Sequence, residues 1–220
     1  MTLMGQNEAN EATAVADTVT SNEKYGLRLG VDLSKLLRTA FDDNFSGFEI
    51  QGDFRVSKKF FAAVELGNEE REWDEENLNA IAKGSFAKVG FDYNAYNNWL
   101  GMNNAITVGL RYGFSTFSQE LLSYEVTQTT QTIPTEIRID PQEFNDLNAH
   151  WAELIVAVKA ELINNLYLSL NVQLKRLVSE KRPDNFDNLI IPGFNRTNDF
   201  SEFGVGYGYT LSYLIPIFKK

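Results

Sequence analysis

The chain contains one histidine, His150, in the sequence LNAHWAEL. A histidine can act as a general base in hydrolysis or acyl transfer when a serine and an acidic or amide side chain lie beside it. No serine-centred motif accompanies His150, so we expect an ordinary side chain and no catalytic residue. A lipid-modifying enzyme that uses His150 as its base is kept as an alternative hypothesis.

A second group of candidate residues is acidic and lies in the sequence GNEEREWDEENLN. Clustered carboxylates can bind calcium, but the spacing here matches no defined calcium-binding loop. We therefore predict a solvated acidic loop, with no bound metal and no cofactor. The carboxylates concerned are those of Glu69, Glu70, Glu72, Asp74, Glu75 and Glu76.

Composition narrows the classes of function. The 20 basic and 30 acidic residues give a pI near 4.7, which argues against nucleic-acid binding because phosphates need a concentrated positive surface. The chain has no cysteine, so disulfides, thiolate metal sites and cysteine nucleophiles are excluded. Its apolar runs are far shorter than the roughly 20 residues of a membrane-spanning helix.

The elements that must position these residues are strands, because eight segments alternate apolar and polar side chains. In LYLSLNVQLK, for example, Leu170 and Val172 share one face while Asn171 and Gln173 share the other. The sequence therefore predicts an all-β fold. The eight segments are YGLRLGVDL, GFEIQGDFRV, FFAAVEL, SFAKVGFDY, AITVGLRYGF, WAELIVAVKAEL, LYLSLNVQLK and FGVGYGYTLSY.

The connections between these strands alternate between long and short. Short turns at one end and long loops at the other are typical of outer-membrane barrels. The sequence thus predicts an eight-stranded antiparallel up-and-down transmembrane β-barrel at residues 25–220. A disordered polar N-terminal tail without a signal-peptide pattern is predicted at residues 1–24. The connections span 34–46, 57–59, 67–84, 94–104, 115–150, 163–165 and 178–201, and only 94–104 is of middling length.

Charge indicates how the two strand faces are oriented. The polar faces carry both signs, which permits pairing inside a narrow barrel, whereas the apolar faces would meet lipid. Leu170 is therefore expected to face lipid and Asn171 the interior. A soluble lipocalin-like binder with the opposite orientation is the alternative hypothesis. The residues predicted to form interior ion pairs are Arg28, Glu49, Asp53, Arg55, Lys88, Arg111, Glu153, Lys159 and Lys175.

Two of the long loops have unusual compositions. Loop four, residues 178–201, contains Ile190, Ile191 and Phe194 in a segment that is expected to be exposed to solvent. Such a cluster either contacts a partner or folds back over the barrel mouth. We assign these three residues to partner contact, and plugging of the barrel stays an open alternative. Loop three contains the β-prone sequence TQTTQTIPTEIRID, so the fifth and sixth strands are expected to project as a hairpin.

The pattern from YGLRLGVDL through FEIQGDFR to FGVGYGYTLSYLIPIF resembles the small outer-membrane β-barrel proteins of unknown function found in Bacteroidota. The resemblance covers nearly the whole chain after the tail. It implies an outer-membrane location and a signal peptide on the precursor, and it brings no catalytic residues. One departure is the C-terminus, where Lys219 and Lys220 follow the aromatic residue Phe218.

These observations favour a non-enzymatic barrel that serves as an accessory or scaffolding subunit of a larger outer-membrane complex. Protein assembly, secretion and lipopolysaccharide handling are the processes considered. A narrow solute channel is a further alternative, although an eight-stranded barrel has no aqueous pore. Expected partners are outer-membrane lipid, lipopolysaccharide and other outer-membrane proteins, with no nucleic acid.

Overall fold

The structure is a computed structural model that describes residues 24–96, 104–126, 136–184, 186–197 and 201–219. The tail predicted at residues 1–24 lies outside these ranges except for Lys24. None of the helical segments in the described ranges combines the length and the apolar character needed to cross a membrane. The elements are β1 (Lys24–Asp32), α1 (Leu33–Phe41), β2 (Phe45–Arg55), β3 (Phe60–Glu75), β4 (Leu78–Asn94), β5 (Ala105–Val126), β6 (Glu136–Arg138), β7 (Gln142–Ile163), β8 (Leu166–Glu180), β9 (Ile190–Ile191), β10 (Asn195–Arg196) and β11 (Phe203–Lys219).

The fold is all-β, as the alternating pattern predicts, and its long strands pair antiparallel in a ring. Each of the eight long strands pairs with two other long strands, and the pairing of β1 with β11 closes the circle; the long strands are β1, β2, β3, β4, β5, β7, β8 and β11. Each long strand is bonded to the next long strand along the chain. The ring therefore has an inner and an outer face.

The two faces differ in polarity in the sense that the sequence predicts. Leu170 is 57% exposed on the outer face, whereas Lys88 is 2% exposed on the inner face. A soluble lipocalin-like fold would show the opposite distribution. The outer face of each long strand carries exposed apolar side chains, among them Leu29, Ile50, Val64, Phe91, Val108, Leu110, Val156, Leu170, Val172 and Val205.

The ring is much taller on one side than on the other. Strands β3, β4, β5 and β7 have 16, 17, 22 and 22 residues, and we call them the tall wall. Strands β1 and β2 have 9 and 11 residues, and together with α1 they form the short wall. At roughly 3.3 Å per residue, β5 is more than twice as long as β1.

The tall wall corrects one prediction and agrees with another. The prediction of a loop at residues 67–84 is wrong, because β3 and β4 continue through this segment and turn only between Glu75 and Leu78. On β3, polar side chains on both strand faces remove the period-two signal there. The expected hairpin of the fifth and sixth strands is present, since β5 and β7 stay paired as far as Leu121 and Gln142.

Helix α1 is a feature that the sequence interpretation missed, since residues 34–46 were predicted as a connection. Asp32 caps the helix, and its carboxylate accepts hydrogen bonds from the backbone N–H groups of Ser34 (2.7 Å) and Lys35 (3.3 Å). Apolar side chains at i, i+3 and i+4 spacing lie on its outer side, including Leu37 and Phe41, which are exposed.

Candidate functional site: the charged interior and the wall cleft

The inner face of the ring holds a connected network of buried charges. Lys159 lies 3.0 Å from Asp53 and 3.2 Å from Asp92. Arg111 continues the network, 2.8 Å from Asp92 and 3.0 Å from Glu65. These ion pairs join β2, β3, β4, β5 and β7, so they tie together strands that are not all neighbours in the sheet.

Lys88 is the hub of the network at the middle of the interior. Its ammonium group lies 2.8 Å from Glu65, 3.7 Å from Glu49 and 3.8 Å from Glu153. The indole N–H of Trp151 donates to Glu153 at 3.2 Å. A buried cation shared among three carboxylates is costly to remove, because Glu153 would lose its ion pair and Glu49 and Glu65 would each keep only one cation in a low-dielectric interior.

Lys35 extends the network from the inner side of α1. It lies 2.6 Å from Glu49 and is also paired with Glu69. The second oxygen of Glu69 accepts a hydrogen bond from the backbone N–H of Gly193 at 2.9 Å. The carbonyl of Gly193 in turn accepts from Lys175 at 2.7 Å. The network thus reaches from α1 into loop four.

Three of the predicted interior cations have surroundings that differ from a simple ion pair, and for Lys175 the predicted ion pair is wrong, because within the described residues its hydrogen bond goes to the Gly193 carbonyl and not to a carboxylate. Arg28 lies 3.3 Å from Asp53 and stacks over the Tyr167 ring at 4.6 Å. Arg55 stacks over the Phe61 ring at 5.1 Å. The structure places all nine predicted residues toward the inside of the ring. Sequence interpretation left Lys35, Glu65 and Glu69 out of that set, although they carry much of the pairing.

Residues 188–197 of loop four fold into the ring, and we call them the plug. Strands β9 and β10 form a two-stranded hairpin at its centre. The predicted partner-contact residues Ile190, Ile191 and Phe194 are all buried, with exposures of 3% or less. Their side chains therefore face the interior of this chain and not a partner, which is the plugging alternative that the sequence left open.

The plug packs against the tall wall. Ile191 and Phe194 share one apolar cluster with side chains of β4, β5 and β7. The rings of Phe194 and Trp151 meet edge to face, with their centroids 6.0 Å apart. The cluster also contains Phe86, Phe117, Leu147 and Ala149.

Glycines provide the room that this packing requires. A Cβ atom on Gly113 would lie 2.1 Å from the Trp151 ring, so the indole can fit only against a glycine. Gly193, at the tip of the plug, has φ +81° and lies against the Phe86 ring. On β11, Gly204 faces Phe194 and Gly206 faces Lys175, so these positions also leave room for large interior side chains.

On the other side of the plug lies a cleft of about 690 Å³, which we call the wall cleft. Helix α1, the start of β2, the edge of β11 and the plug tip line it. Its inner end is charged and includes Lys35, Glu69 and Lys175, whereas its outer end includes Leu37 and Tyr207. At its upper rim Arg38 donates a hydrogen bond to Asp42 at 3.0 Å, which lowers the pKa of that carboxyl.

His150 lies on β7 with its ring between two aromatic side chains. Its Nδ1 is 2.9 Å from the Tyr112 hydroxyl, and the Phe114 ring centroid is 4.8 Å away. Ser179 is its partner in register on β8. These contacts orient the imidazole at the outer face, and the lipid-modifying alternative stays a prediction.

The acidic residues 69–76 lie on the two faces of β3 and in its turn, and do not converge. Glu69 is buried and paired with Lys35, whereas Glu70 is exposed on the other face. Within the described ranges, no group of three or more acidic or histidine side chains could hold a metal ion. The calcium hypothesis therefore has no set of converging ligands in the described part of this segment.

Comparison with known proteins identifies the family of the chain and nothing further. A search of curated proteins found no match. The family model described as Domain of unknown function (DUF6048) matches residues 1–220. Because that match covers the ring, the plug and α1 alike, the chain belongs to the DUF6048 family.

Proposed function

We propose that this chain is an eight-stranded up-and-down transmembrane β-barrel of the bacterial outer membrane, related to the small barrels of Bacteroidota. In this proposal it is sealed by its own plug and works without catalysis as an accessory or scaffolding subunit of a larger outer-membrane complex. The observation that carries the proposal is the polarity of the ring. Apolar patches on soluble monomers rarely exceed a few hundred Å², whereas here every long strand exposes apolar side chains outward.

The filled interior supports a structural role in preference to solute transport. Trp151, Phe194 and Lys88 are each 2% exposed or less, and they belong to the apolar cluster and the charge network that occupy the ring. Buried charges of both signs satisfy one another inside, which is the arrangement expected when the outer face meets lipid. A solute would have to displace the plug before it could pass.

The far end of the tall wall supports a role in assembly. Strand β6 pairs with the end of β5, and we call β6 together with the adjoining ends of β5 and β7 the arm. Ile137 and Ile139 in and beside β6 are 62% and 80% exposed. Exposed apolar side chains at the tip of a long, hydrogen-bonded hairpin suit contact with another protein. We therefore place the partner surface on the arm and not on the plug.

Two experiments test the proposal in sequence. The wild-type chain should require detergent for extraction and should insert into phospholipid vesicles, with circular dichroism dominated by β-structure. Refolding as a monodisperse soluble monomer without detergent would contradict the barrel.

The second experiment is affinity purification from native membranes, followed by mass spectrometry. Wild type should carry partner proteins, and Ile137→Ser combined with Ile139→Ser should lose them. The matched control is Leu162→Ser combined with Ile163→Ser, two exposed apolar residues at the opposite end of β7. If wild type is recovered without any specific partner, the subunit role fails while the barrel stands.

A further inference from the structure

The short wall is interrupted beside α1. Strand β1 pairs with β11 as far as Asp32 and Thr210, because β1 ends where α1 begins. Strand β11 nevertheless extends to Phe203, and among the described pairings its residues 203–209 are bonded to β8 alone. Helix α1 takes the place of a strand at this point, and the wall cleft lies between α1 and β11.

Helix α1 is held to the ring at its inner side and is apolar at its outer side. Lys35 pairs with Glu49 at 2.6 Å, and the Thr39 hydroxyl accepts a hydrogen bond from the backbone N–H of Gly47 at 2.8 Å. Phe41 is 86% exposed. The helix therefore continues the apolar outer face of the ring across the gap.

The outer end of the wall cleft opens within that apolar face. Val172, Val205 and Tyr207 contribute to its lining. In the sheet register Val172 lies between Val156 and Tyr207, so this end of the cleft is level with the middle of the apolar outer face. In the proposed membrane setting, the cleft connects lipid with the charged interior.

At the inner end of the cleft, Lys175 differs from the other buried cations. Lys35, Lys88 and Lys159 each have a carboxylate within 4.0 Å, whereas Lys175 has none among the described residues. Lys175 is 3% exposed, and its one hydrogen bond within the described residues goes to the carbonyl of Gly193. A lysine ammonium has three donors, so two of them have no acceptor among the described residues, and Lys175 lines the cleft.

We propose that the wall cleft binds one membrane phospholipid, with its phosphate against Lys175 and its acyl chains along the outer face beside α1. A buried ammonium group is stabilised by a charged acceptor, and a phosphate oxygen is such an acceptor. The volume of about 690 Å³ is that of an ordinary small-molecule site. This inference rests on the proposed function, because the apolar end of the cleft meets lipid only in a membrane.

Two variants remove the site in different ways. Lys175→Met keeps the apolar stem of the side chain, removes its charge and breaks no ion pair. The control for this variant is Lys83→Met, at an exposed position on β4. Gly206→Val fills the inner end of the cleft, since a Cβ there would lie 3.3 Å from the Lys175 ammonium and 2.7 Å from the flexible end of Gln173. Gly52→Val, whose Cβ meets no atom closer than 3.4 Å, is the control.

The measurement is native mass spectrometry of the full chain in detergent with three probes: phosphatidylglycerol, the matching diacylglycerol and inorganic phosphate. Wild type and both controls should retain one phosphatidylglycerol. Lys175→Met and Gly206→Val should each bind it at least about tenfold more weakly. Tenfold is the effect of losing one charged hydrogen bond, here the one between Lys175 and the phosphate. Diacylglycerol and inorganic phosphate should each bind more weakly than phosphatidylglycerol, because each lacks half of the contacts.

Several results would overturn the inference. Equal binding of diacylglycerol would mean a lipid groove without phosphate recognition, and equal binding of inorganic phosphate would mean an ion site without lipid. Unchanged phosphatidylglycerol binding by both Lys175→Met and Gly206→Val would place the lipid elsewhere. Insertion into vesicles without selective binding would overturn this inference alone, whereas failure to insert would overturn the proposed function with it.

Discussion

The tall wall and the short wall close the same ring by different means. On the tall wall, β3 and β4 stay paired from Phe60 opposite Tyr93 to Glu75 opposite Leu78, without a break. On the short wall, β1 stops at Asp32 and a helix takes over. A strand ladder fills its wall completely, whereas a helix joined through side chains leaves space beside it. The plug packs on the tall wall, and the cleft lies on the short side.

The two walls should therefore respond differently to mutation. The tall wall and plug depend on buried apolar contacts around Trp151 and on the charge hub at Lys88. The short wall depends on a helix cap at Asp32 and on a few polar contacts of α1. Buried apolar and charged groups contribute several times more free energy than a helix cap.

The largest effect is expected from emptying the apolar cluster on the tall wall. Ile190→Ser, Ile191→Ser and Phe194→Ser combined should lower the free energy of unfolding strongly, because each large buried side chain contributes about 2–5 kcal/mol. Thermal unfolding in detergent and protease sensitivity of loop four are the measurements. The arm variant Ile137→Ser with Ile139→Ser is the control and should melt like wild type. Unchanged melting of the plug variant would mean that the plug does not pack inside.

The next effect compares two buried lysines, one with ion pairs and one without. Lys88→Met should lower the free energy of unfolding by about 3–5 kcal/mol, because it leaves three carboxylates without their shared cation. Lys175→Met should lower it less, since it breaks one hydrogen bond and no ion pair. Chemical denaturation in detergent measures both. Equal losses would contradict the different roles given to the two lysines.

A smaller effect tests the outer face, which both walls share. Leu170→Arg should impair insertion into vesicles more than Asn171→Arg, because an arginine at the middle of the lipid face costs about 2–4 kcal/mol. The fraction of folded protein after insertion is the readout. A clearly milder effect at Leu170 would reverse the assignment of the two faces.

The smallest effect concerns the cap of α1 on the short wall. Asp32→Ala should destabilise the helix by about 1 kcal/mol, because the backbone N–H groups of Ser34 and Lys35 lose their acceptor. Hydrogen exchange of residues 33–41 should accelerate while the tall wall exchanges as before. Asp32→Asn keeps a capping oxygen and should stay close to wild type. Acceleration across the tall wall as well would show that the two walls are not independent.

The sequence predicts the ring because period-two alternation survives wherever one strand face is apolar and the other polar. Segment LYLSLNVQLK of β8 shows this pattern without a break. The pattern fails in the upper part of β3, where polar residues occupy both faces, and a loop is predicted for residues 67–84 instead. It also fails at Phe61, which is buried among the charged residues and blurs the alternation on the strand that carries Glu65.

The candidate site was harder to predict than the ring. The spacing of Leu33, Leu37 and Phe41 after the capping residue Asp32 indicates a helix. These residues lie, however, in a segment that was predicted as a long loop. Lys35 was therefore missed. The apolar residues of the plug are evident in sequence, yet their destination depends on Phe86 and Trp151, which lie on distant strands. Only the register of the closed ring brings them together.

The most direct test of the proposed barrel uses the absence of cysteine from the chain, since each introduced cysteine can carry a single spin label. Labels at positions 170, 171, 172, 173 and 174 should be compared in phospholipid vesicles by collision with lipid-soluble oxygen and with a water-soluble nickel chelate. The account predicts high oxygen accessibility at Leu170, Val172 and Leu174 and low accessibility at Asn171 and Gln173. Nickel accessibility at Leu170, Val172 and Leu174, with no excess of oxygen, would contradict a lipid-facing outer surface.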